Sequence, residues 1–131
     1  MQAIDTNLLV RLFVNDAAAQ AQKVRALFDR HADDDGALWV ADTVLVELVW
    51  ALDRVYARPR DHIAMALRAL AGNATMRLES KAALPEAIAL YAKGPADFAD
   101  APLAVKAAQA RREALRSFDK KMRSLPGFKL L

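Results

Sequence analysis

The sequence predicts an α/β protein with a central, mainly parallel sheet that is covered by helices on both faces. Short apolar segments with the character of strands alternate with longer segments of helical periodicity, and this alternation is typical of a parallel sheet. Hydrophobic residues make up 55% of the chain and charged residues 27%, a balance that excludes intrinsic disorder. A chain of 131 residues has the length of one ordinary domain, and we expect residues 1–131 to form a single domain.

Five segments predict strands because they are short, apolar and bounded by polar or turn residues. They are residues 1–4, 37–41, 75–78, 114–118 and 128–131. Six longer segments predict helices from the spacing of their apolar residues. They are residues 8–14, 17–28, 43–56, 60–70, 84–93 and 101–113, and a one-turn helix is expected after Asp119.

Polar residues, glycines and prolines indicate where these helices begin and end. Asp16 is placed to cap the second helix, and the polar segment 31–36 follows that helix as a break. Pro59 closes the third helix, and the pairs at 72–73 (Gly-Asn) and 94–95 (Gly-Pro) close the fourth and fifth. No linker or internal repeat interrupts this order.

The composition excludes several classes of function. The chain has no cysteine, so disulfides, thiolate metal sites and cysteine nucleophiles are absent. No apolar run is long enough to span a bilayer, and an acid at position 5 argues against a signal peptide, so we expect a cytoplasmic protein with no membrane partner.

Basic residues are concentrated in the last quarter of the chain, although the formal net charge is only +3. They are Lys106, Arg111, Arg112, Arg116, Lys120, Lys121, Arg123 and Lys129, against two acids, Glu113 and Asp119. Such a segment fits a phosphate-rich partner. A solvated helix face is the alternative explanation of the same charges.

Glu47 is the single charge in the apolar stretch 43–52, which predicts that its helix is largely buried. A buried carboxylate without a partner is costly, so Glu47 needs a cation, an arginine or a proton. One interpretation is a buried salt bridge with Arg11 or Arg54. The other is a functional site, because Asp5 ends the first strand and the helix of Glu47 follows the second, which places both toward one edge of the sheet.

Three further acids lie near predicted helix starts. Asp97 and Asp100 share a face if their turn is helical. Pro102 fits best in the first turn of a helix, so Asp100 alone is explained as an N-cap. Asp119 follows a predicted strand and is likewise placed to cap the one-turn helix after it.

Together these acids predict more than helix caps, because several carboxylates converge at the carboxyl end of one sheet. Like charges at short range repel and raise pKa values unless a cation lies among them. An all-oxygen site without His or Cys suits Mg2+ or Mn2+ rather than Zn2+. The implied chemistry is metal-assisted attack of water on a phosphodiester.

Neither histidine nor serine chemistry offers another mechanism. His31 and His62 lie in polar stretches that are expected to be exposed. Ser117 has no base near it in sequence, so it is better placed to hold Asp119 or a water molecule than to act as a nucleophile.

The segments that carry the acids resemble PIN domains and, among them, VapC-type toxin ribonucleases of bacterial toxin-antitoxin pairs. The matching segments follow the order and spacing of that family. They are residues 3–11, 44–50, 96–101, 117–121 and 125–128.

The resemblance implies a PIN-like α/β/α sandwich and a set of site residues. The acids around Mg2+, with Mn2+ as a substitute, would be Asp5, Glu47, Asp100 and Asp119. Asp97 would be an auxiliary acid, Ser117 would orient Asp119 or a water molecule, and Asn7 would support Asp5. The resemblance also implies an RNA substrate, a homodimer, and a VapB-like antitoxin whose tail blocks the acidic groove.

Two features depart from the family pattern. Pro102 stands where the family usually has an aliphatic residue, and the Arg-rich segment 107–115 lacks the glycine that commonly separates helix from strand. Both lie close to acids of the predicted site, so we expect them to affect how Asp100 and Asp119 are presented.

The function we predict is a Mg2+-dependent endoribonuclease toxin of a type II toxin-antitoxin system, with the basic residues of the last quarter gripping the RNA backbone. A phosphatase or phosphotransferase with Asp5 as nucleophile is one alternative, although the partner lysine and terminal acid pair of that chemistry are not evident. A PIN domain that binds RNA or its antitoxin without cutting is another.

Overall fold

The computed structural model describes residues 1–131 and contains two groups of parallel strands. Strand β2 (Leu38–Val40) pairs with β1 (Gln2–Ala3) on one side and β3 (Met76–Leu78) on the other. Strand β4 (Leu115–Ser117) pairs with β5 (Phe128–Leu130) in a second, two-stranded sheet. All of these pairings are parallel, so the predicted α/β fold with a mainly parallel sheet is confirmed.

Six α-helices and one 3-10 helix connect the strands. The α-helices are α1 (Thr6–Phe13), α2 (Ala18–Arg30), α3 (Asp42–Arg54), α4 (Arg60–Ala71), α5 (Leu84–Lys93) and α6 (Asp100–Gln109). The 3-10 helix spans Lys120–Ser124. Every predicted element is present, and the largest shift of a boundary is at the end of α6, which stops at Gln109 rather than at residue 113. None of the helices combines the length and the hydropathy that crossing a membrane requires.

The core is aliphatic and joins the strands to the helices around them. Leu38 and Val40 of β2 are fully buried, as are Leu9 of α1 and Ile63 of α4. Burial of each such side chain contributes roughly 1.5–3 kcal/mol. Helix α3 adds a stripe at the spacing i, i+3, i+4, i+7, formed by Leu45, Leu48, Val49 and Leu52.

Helix α3 differs from the prediction, because it is not buried all round. Its stripe of four core residues occupies one face, while Glu47 and Trp50 lie on the exposed side. The prediction that Glu47 is buried is therefore wrong. Neither proposed salt bridge exists, because Arg11 pairs with Asp16 and Arg54 with Asp53.

Two of the three predicted helix caps are wrong as well. Helix α2 begins at Ala18 without a side-chain cap, and the Asp16 carboxylate instead accepts hydrogen bonds from Arg11 and the Tyr56 hydroxyl. Asp100 is the first residue of α6 and its side chain makes no capping bond. Asp119 does cap the 3-10 helix, since its Oδ1 accepts a hydrogen bond from the backbone N–H of Lys121 at 2.9 Å.

The two departures from the family pattern are accommodated by the backbone. Pro102 is buried in the first turn of α6, where its missing N–H has no helical partner to lose. At the end of α6, Arg111 has φ of +56° and takes the place that glycine usually fills. Its N–H donates to the Ala108 carbonyl and that of Arg112 to the Ala107 carbonyl, both at 2.9 Å, which completes a Schellman-type end.

Because Arg111 occupies the left-handed region, Arg111→Gly should raise the free energy of unfolding by about 1 kcal/mol. Urea unfolding should show a higher midpoint with an unchanged slope. Arg112→Gly is the matched control, since it removes the same charge at a position without positive φ. An equal gain in both variants would show that charge, not backbone conformation, is responsible.

Candidate metal centre

Three carboxylates from two parts of the chain meet at one point of the structure. One carboxylate oxygen from each of Asp97, Asp100 and Asp119 lies within 4.8 Å of the other two. Asp97 is exposed and precedes α6, Asp100 is the first residue of that helix, and Asp119 follows β4. We call these three residues the acidic cluster.

Asp119 is held in place by hydrogen bonds on both sides. Its backbone N–H donates to Ser117 Oγ at 3.0 Å, and its Oδ1 accepts from the Lys121 N–H. Ser117 was predicted to orient Asp119 or a water molecule. In the structure its hydroxyl accepts a hydrogen bond from the backbone N–H of Asp119. Oδ1 is engaged in the cap, whereas Oδ2 makes no hydrogen bond within the protein.

The turn that carries Asp97 is held by Arg60 of α4. The Arg60 guanidinium donates to the carbonyls of Tyr91 and Ala96, each at 2.8 Å, and to that of Pro95 at 3.4 Å. It also lies 4.4 Å from the centre of the Tyr91 ring, a cation–π geometry. Sequence reasoning missed this residue, because nothing in the pattern around position 60 indicates a contact with a turn more than 30 residues away.

Asp5 and Glu47 lie outside the acidic cluster, so the structure does not bring the four predicted ligands into one tight group. Asp5 Oδ1 accepts a hydrogen bond from the Leu8 N–H at 3.1 Å and caps α1. Glu47 Oε2 accepts one from the Thr6 hydroxyl at 2.8 Å. Thr6 thus links the segment of Asp5 to Glu47 of α3. Its hydroxyl directly after Asp5 is the sequence feature that could have predicted this link.

Asn7, expected to support Asp5, is exposed and makes no hydrogen bond to it. The contact that orders Asp5 comes instead from the backbone of Leu8, one residue further on. Asn7 therefore makes no hydrogen bond that would support Asp5 in the structure.

A second group of polar residues at the ends of β2 and β3 was also missed by sequence reasoning. The Asp42 carboxylate accepts hydrogen bonds from the Ser80 hydroxyl at 2.5 Å and from Lys106 Nζ at 3.0 Å. The Asp42 N–H donates to Glu79 Oε1 at 2.9 Å. Since Lys106 neutralises Asp42, this carboxylate ties α3 to α6 rather than offering a site for a cation.

The acidic cluster is electrostatically strained. The pKa of Asp100 is raised above its ordinary value, first by burial and then by the negative charges of Asp97 and Asp119. Lys121 opposes the rise but is the weakest of the four influences. None of the three carboxylates forms a salt bridge, so only the weak effect of Lys121 offsets their repulsion within the protein.

The donors of the cluster fit a hard divalent cation. All three are carboxylates, and oxygen-only sites of this kind suit Mg2+ and Mn2+. No His or Cys belongs to the group, which makes a Zn2+ site a poor match. A divalent charge among the three acids would also remove the repulsion that raises the pKa of Asp100.

Comparison with known proteins assigns the chain to a family. A family model described as the PIN domain matches residues 3–127. This chain belongs to the PIN domain family. A VapC ribonuclease of Aquifex aeolicus (strain VF5) is 27% identical over 129 residues, which cover 98% of this chain and 94% of that protein. The resemblance drawn from the acidic segments is therefore confirmed, and the acidic cluster of this PIN domain lies within the matched region.

The raised pKa of Asp100 predicts how the stability of this PIN domain depends on pH. The folded protein holds the Asp100 proton more tightly than the unfolded chain does. Stability is thus lost as pH rises from the ordinary Asp pKa of about 3.9 through the raised folded value. Asp100→Asn should raise the melting temperature of metal-free protein by a few degrees at neutral pH, and the gain should shrink toward pH 4.

Calorimetry with and without Mg2+ completes this test. Saturation at about 100 times Kd should stabilise the natural protein by about 2.7 kcal/mol and Asp100→Asn much less. Asp33→Asn is the control, because Asp33 is exposed and has no hydrogen bond or salt bridge. A pH-independent gain, or an equal gain in the Asp33 variant, would contradict the electrostatic explanation.

Proposed function

We propose that this PIN domain protein is a divalent-metal-dependent endoribonuclease, the toxin of a type II toxin-antitoxin system. The observation that carries the proposal is the convergence of Asp97, Asp100 and Asp119 without a neutralising partner. Support comes from the PIN family match and from the name of the Aquifex aeolicus relative, a VapC ribonuclease. The preferred ion is Mg2+, with Mn2+ as a substitute.

Asp97, Asp100 and Asp119 would hold the ion, and Asp5 and Glu47 would complete the acidic groove around it. When bound, the ion lowers the pKa of a water molecule and neutralises charge on the leaving oxygen. The protein contributes fixed geometry: Ser117 and Lys121 hold Asp119, and Thr6 holds Glu47. Asp100 must lose its proton before it binds a cation, so its raised pKa sets a lower pH limit for activity.

The basic residues of the last quarter would contact the phosphates of the RNA. All eight of them are exposed, and seven of these, which exclude the Lys106 paired with Asp42, form no salt bridge. Lys120 and Lys121 directly follow Asp119. Neutralising several phosphates releases counterions, so we expect the affinity for RNA to fall as the salt concentration rises. The acidic cluster and these basic residues have opposite charge. A cation would therefore bind at the cluster, and the RNA backbone would bind at the basic residues.

The partners in this proposal are a VapB-like antitoxin and a second copy of the chain. Large apolar side chains remain exposed on the single chain, among them Val55, Leu103 and Phe118. Exposed apolar surface of this kind is typical of proteins that associate. An antitoxin that places a positive side chain among the three acids would relieve their repulsion in the same way as a cation.

The decisive experiment is an RNA cleavage assay with protein freed of its antitoxin. Single-stranded RNA should be cut in Mg2+ or Mn2+, and EDTA should stop the reaction. Asp100→Asn and Asp5→Asn should each lower the rate by about 100-fold or more, since even residues that support metal ligands are worth 10- to 100-fold. Asp33→Asn should cut like the natural protein, and circular dichroism should show all variants folded.

Other results would identify the alternatives. Cleavage that persists in EDTA, or that Asp5→Asn and Asp100→Asn leave undiminished, would overturn the metal site. Tight RNA binding without any cleavage would favour a non-catalytic PIN domain. A phosphoryl group trapped on Asp5 would favour the phosphotransferase alternative.

A further inference from the structure

A cavity of about 190 Å³ opens next to the acidic cluster, between the exposed face of α3 and the turn before α6. Its lining includes Trp50, Arg54, Arg60 and Tyr91. Asp97 belongs both to this lining and to the acidic cluster. Whatever fills the cavity is therefore in direct contact with a residue of the candidate metal centre.

Two residues that line the cavity, Trp50 and Arg54, have largely exposed side chains that are not packed in the core. Trp50 is 61% exposed on the side of α3 opposite its core stripe. Arg54 follows one turn later with 72% of its side chain exposed, and its single salt bridge is to the neighbouring Asp53 at 3.5 Å. An exposed indole and a guanidinium one turn apart on a helix provide a stacking surface with a cation beside it.

Tyr91 lies deeper and is only 4% exposed. Its ring is fixed by the Arg60 guanidinium at 4.4 Å and by the edge of Phe98, with ring centres 5.7 Å apart. Its carbonyl accepts a hydrogen bond from Arg60, but its hydroxyl makes none with any other group of the protein. This hydroxyl keeps contact with solvent, so it is free to donate a hydrogen bond to an acceptor atom in the cavity that Tyr91 lines.

Burial raises the pKa of Tyr91, and the acids Asp53 and Asp97 raise it further against the opposing effect of Arg60. The hydroxyl is therefore protonated at neutral pH and acts as a hydrogen-bond donor. The same two acids line the cavity together with two arginines, so the cavity has no excess positive charge. An uncharged ligand with a flat π face and acceptor atoms fits it better than a phosphate does.

We propose that this cavity is a nucleobase subsite, in which a base of the RNA next to the cleaved phosphate stacks on Trp50 and accepts a hydrogen bond from the Tyr91 hydroxyl. Arg54 at the rim contacts the sugar-phosphate backbone of the same strand. The inference rests on the proposed ribonuclease function, because the shared residue Asp97 places the base beside the acids that would hold the metal. The subsite would give the enzyme a base preference at one position of the strand.

Tryptophan fluorescence in EDTA tests the subsite without cleavage. The chain has two tryptophans, so Trp39→Phe leaves Trp50 as the reporter. A short single-stranded RNA of mixed sequence should quench its emission. Trp50→Ala loses one base-stacking contact, so it should bind RNA about 5- to 100-fold more weakly. Anisotropy of labelled RNA measures this affinity. Trp50→Phe should retain most of the affinity, and Tyr91→Phe should lose part of it.

Kinetics separate binding from chemistry. Trp50→Ala should raise KM by a similar factor, with a much smaller change in kcat and no change in the stabilisation by Mg2+. Met65→Ala is the matched control, because Met65 is 64% exposed on α4 and lies outside the cavity. Sequencing of cleavage products should show a base preference in the natural protein that Trp50→Ala and Tyr91→Phe relax.

The outcomes distinguish this inference from the proposed function. RNA that quenches Trp50 without ever being cut would support the subsite and overturn the nuclease assignment. A metal-dependent nuclease whose RNA affinity and KM are unchanged in Trp50→Ala would overturn the subsite. An unchanged RNA affinity together with a smaller mass in sedimentation of Trp50→Ala would overturn it as well, and would show that a second copy of the chain covers this face.

Discussion

Repulsion within the acidic cluster is the constraint on which the organisation of this end of the molecule depends. Three carboxylates within 4.8 Å of one another cannot all be charged without cost, and their repulsion adds to the effect of burial in raising the pKa of Asp100. The fold holds them together from outside the cluster. Arg60 fixes the turn of Asp97 through three carbonyls, and the Ser117 hydroxyl and the Lys121 N–H fix Asp119.

Two carboxylates of the protein are tied to other elements by salt bridges, unlike those of the acidic cluster. Asp16 is paired with Arg11 and Asp42 with Lys106, so these carboxylates serve the fold. Asp5, Glu47 and the three acids of the cluster have no salt bridge. Positive charge is plentiful in the last quarter of the chain but is directed to solvent rather than to these acids. This separation is expected of a surface that binds a cation at one place and a polyanion around it.

Periodicity was sufficient to predict the fold, because both the strands and the helices of this chain bury apolar residues at regular spacing. It predicted the location of Asp5 and Asp119 after strands for the same reason. It failed for Glu47, because an apolar sequence does not show which side of α3 the protein covers, and Val46 and Trp50 are not part of the buried stripe. Burial of a helix face is a tertiary property, and the same limit applies to caps such as Asp16, whose better partners come from α1 and Tyr56.

Sequence patterns did not predict the contacts between segments that are far apart in the chain. The hydrogen bonds of Arg60 to residues 91–96 and of Lys106 to Asp42 join positions more than 30 residues apart, and no local signal marks them. Asp97 was expected to be auxiliary, yet it is one of the three acids that approach most closely. Its place depends on a turn that Arg60 holds in position, which spacing alone does not reveal.

Helix α3 connects the two halves of the candidate site. Glu47 and Trp50 are three residues apart, so they project from neighbouring positions on one face, within about one helical turn, or roughly 5 Å, along the axis. Glu47 is tied to Thr6 beside Asp5, whereas Trp50 lines the cavity beside Asp97. Because the opposite face of α3 is anchored by fully buried leucines, these two side chains are carried on a rigid element. A ligand that contacts both would therefore be positioned across the acidic groove by the core of the protein rather than by a mobile loop.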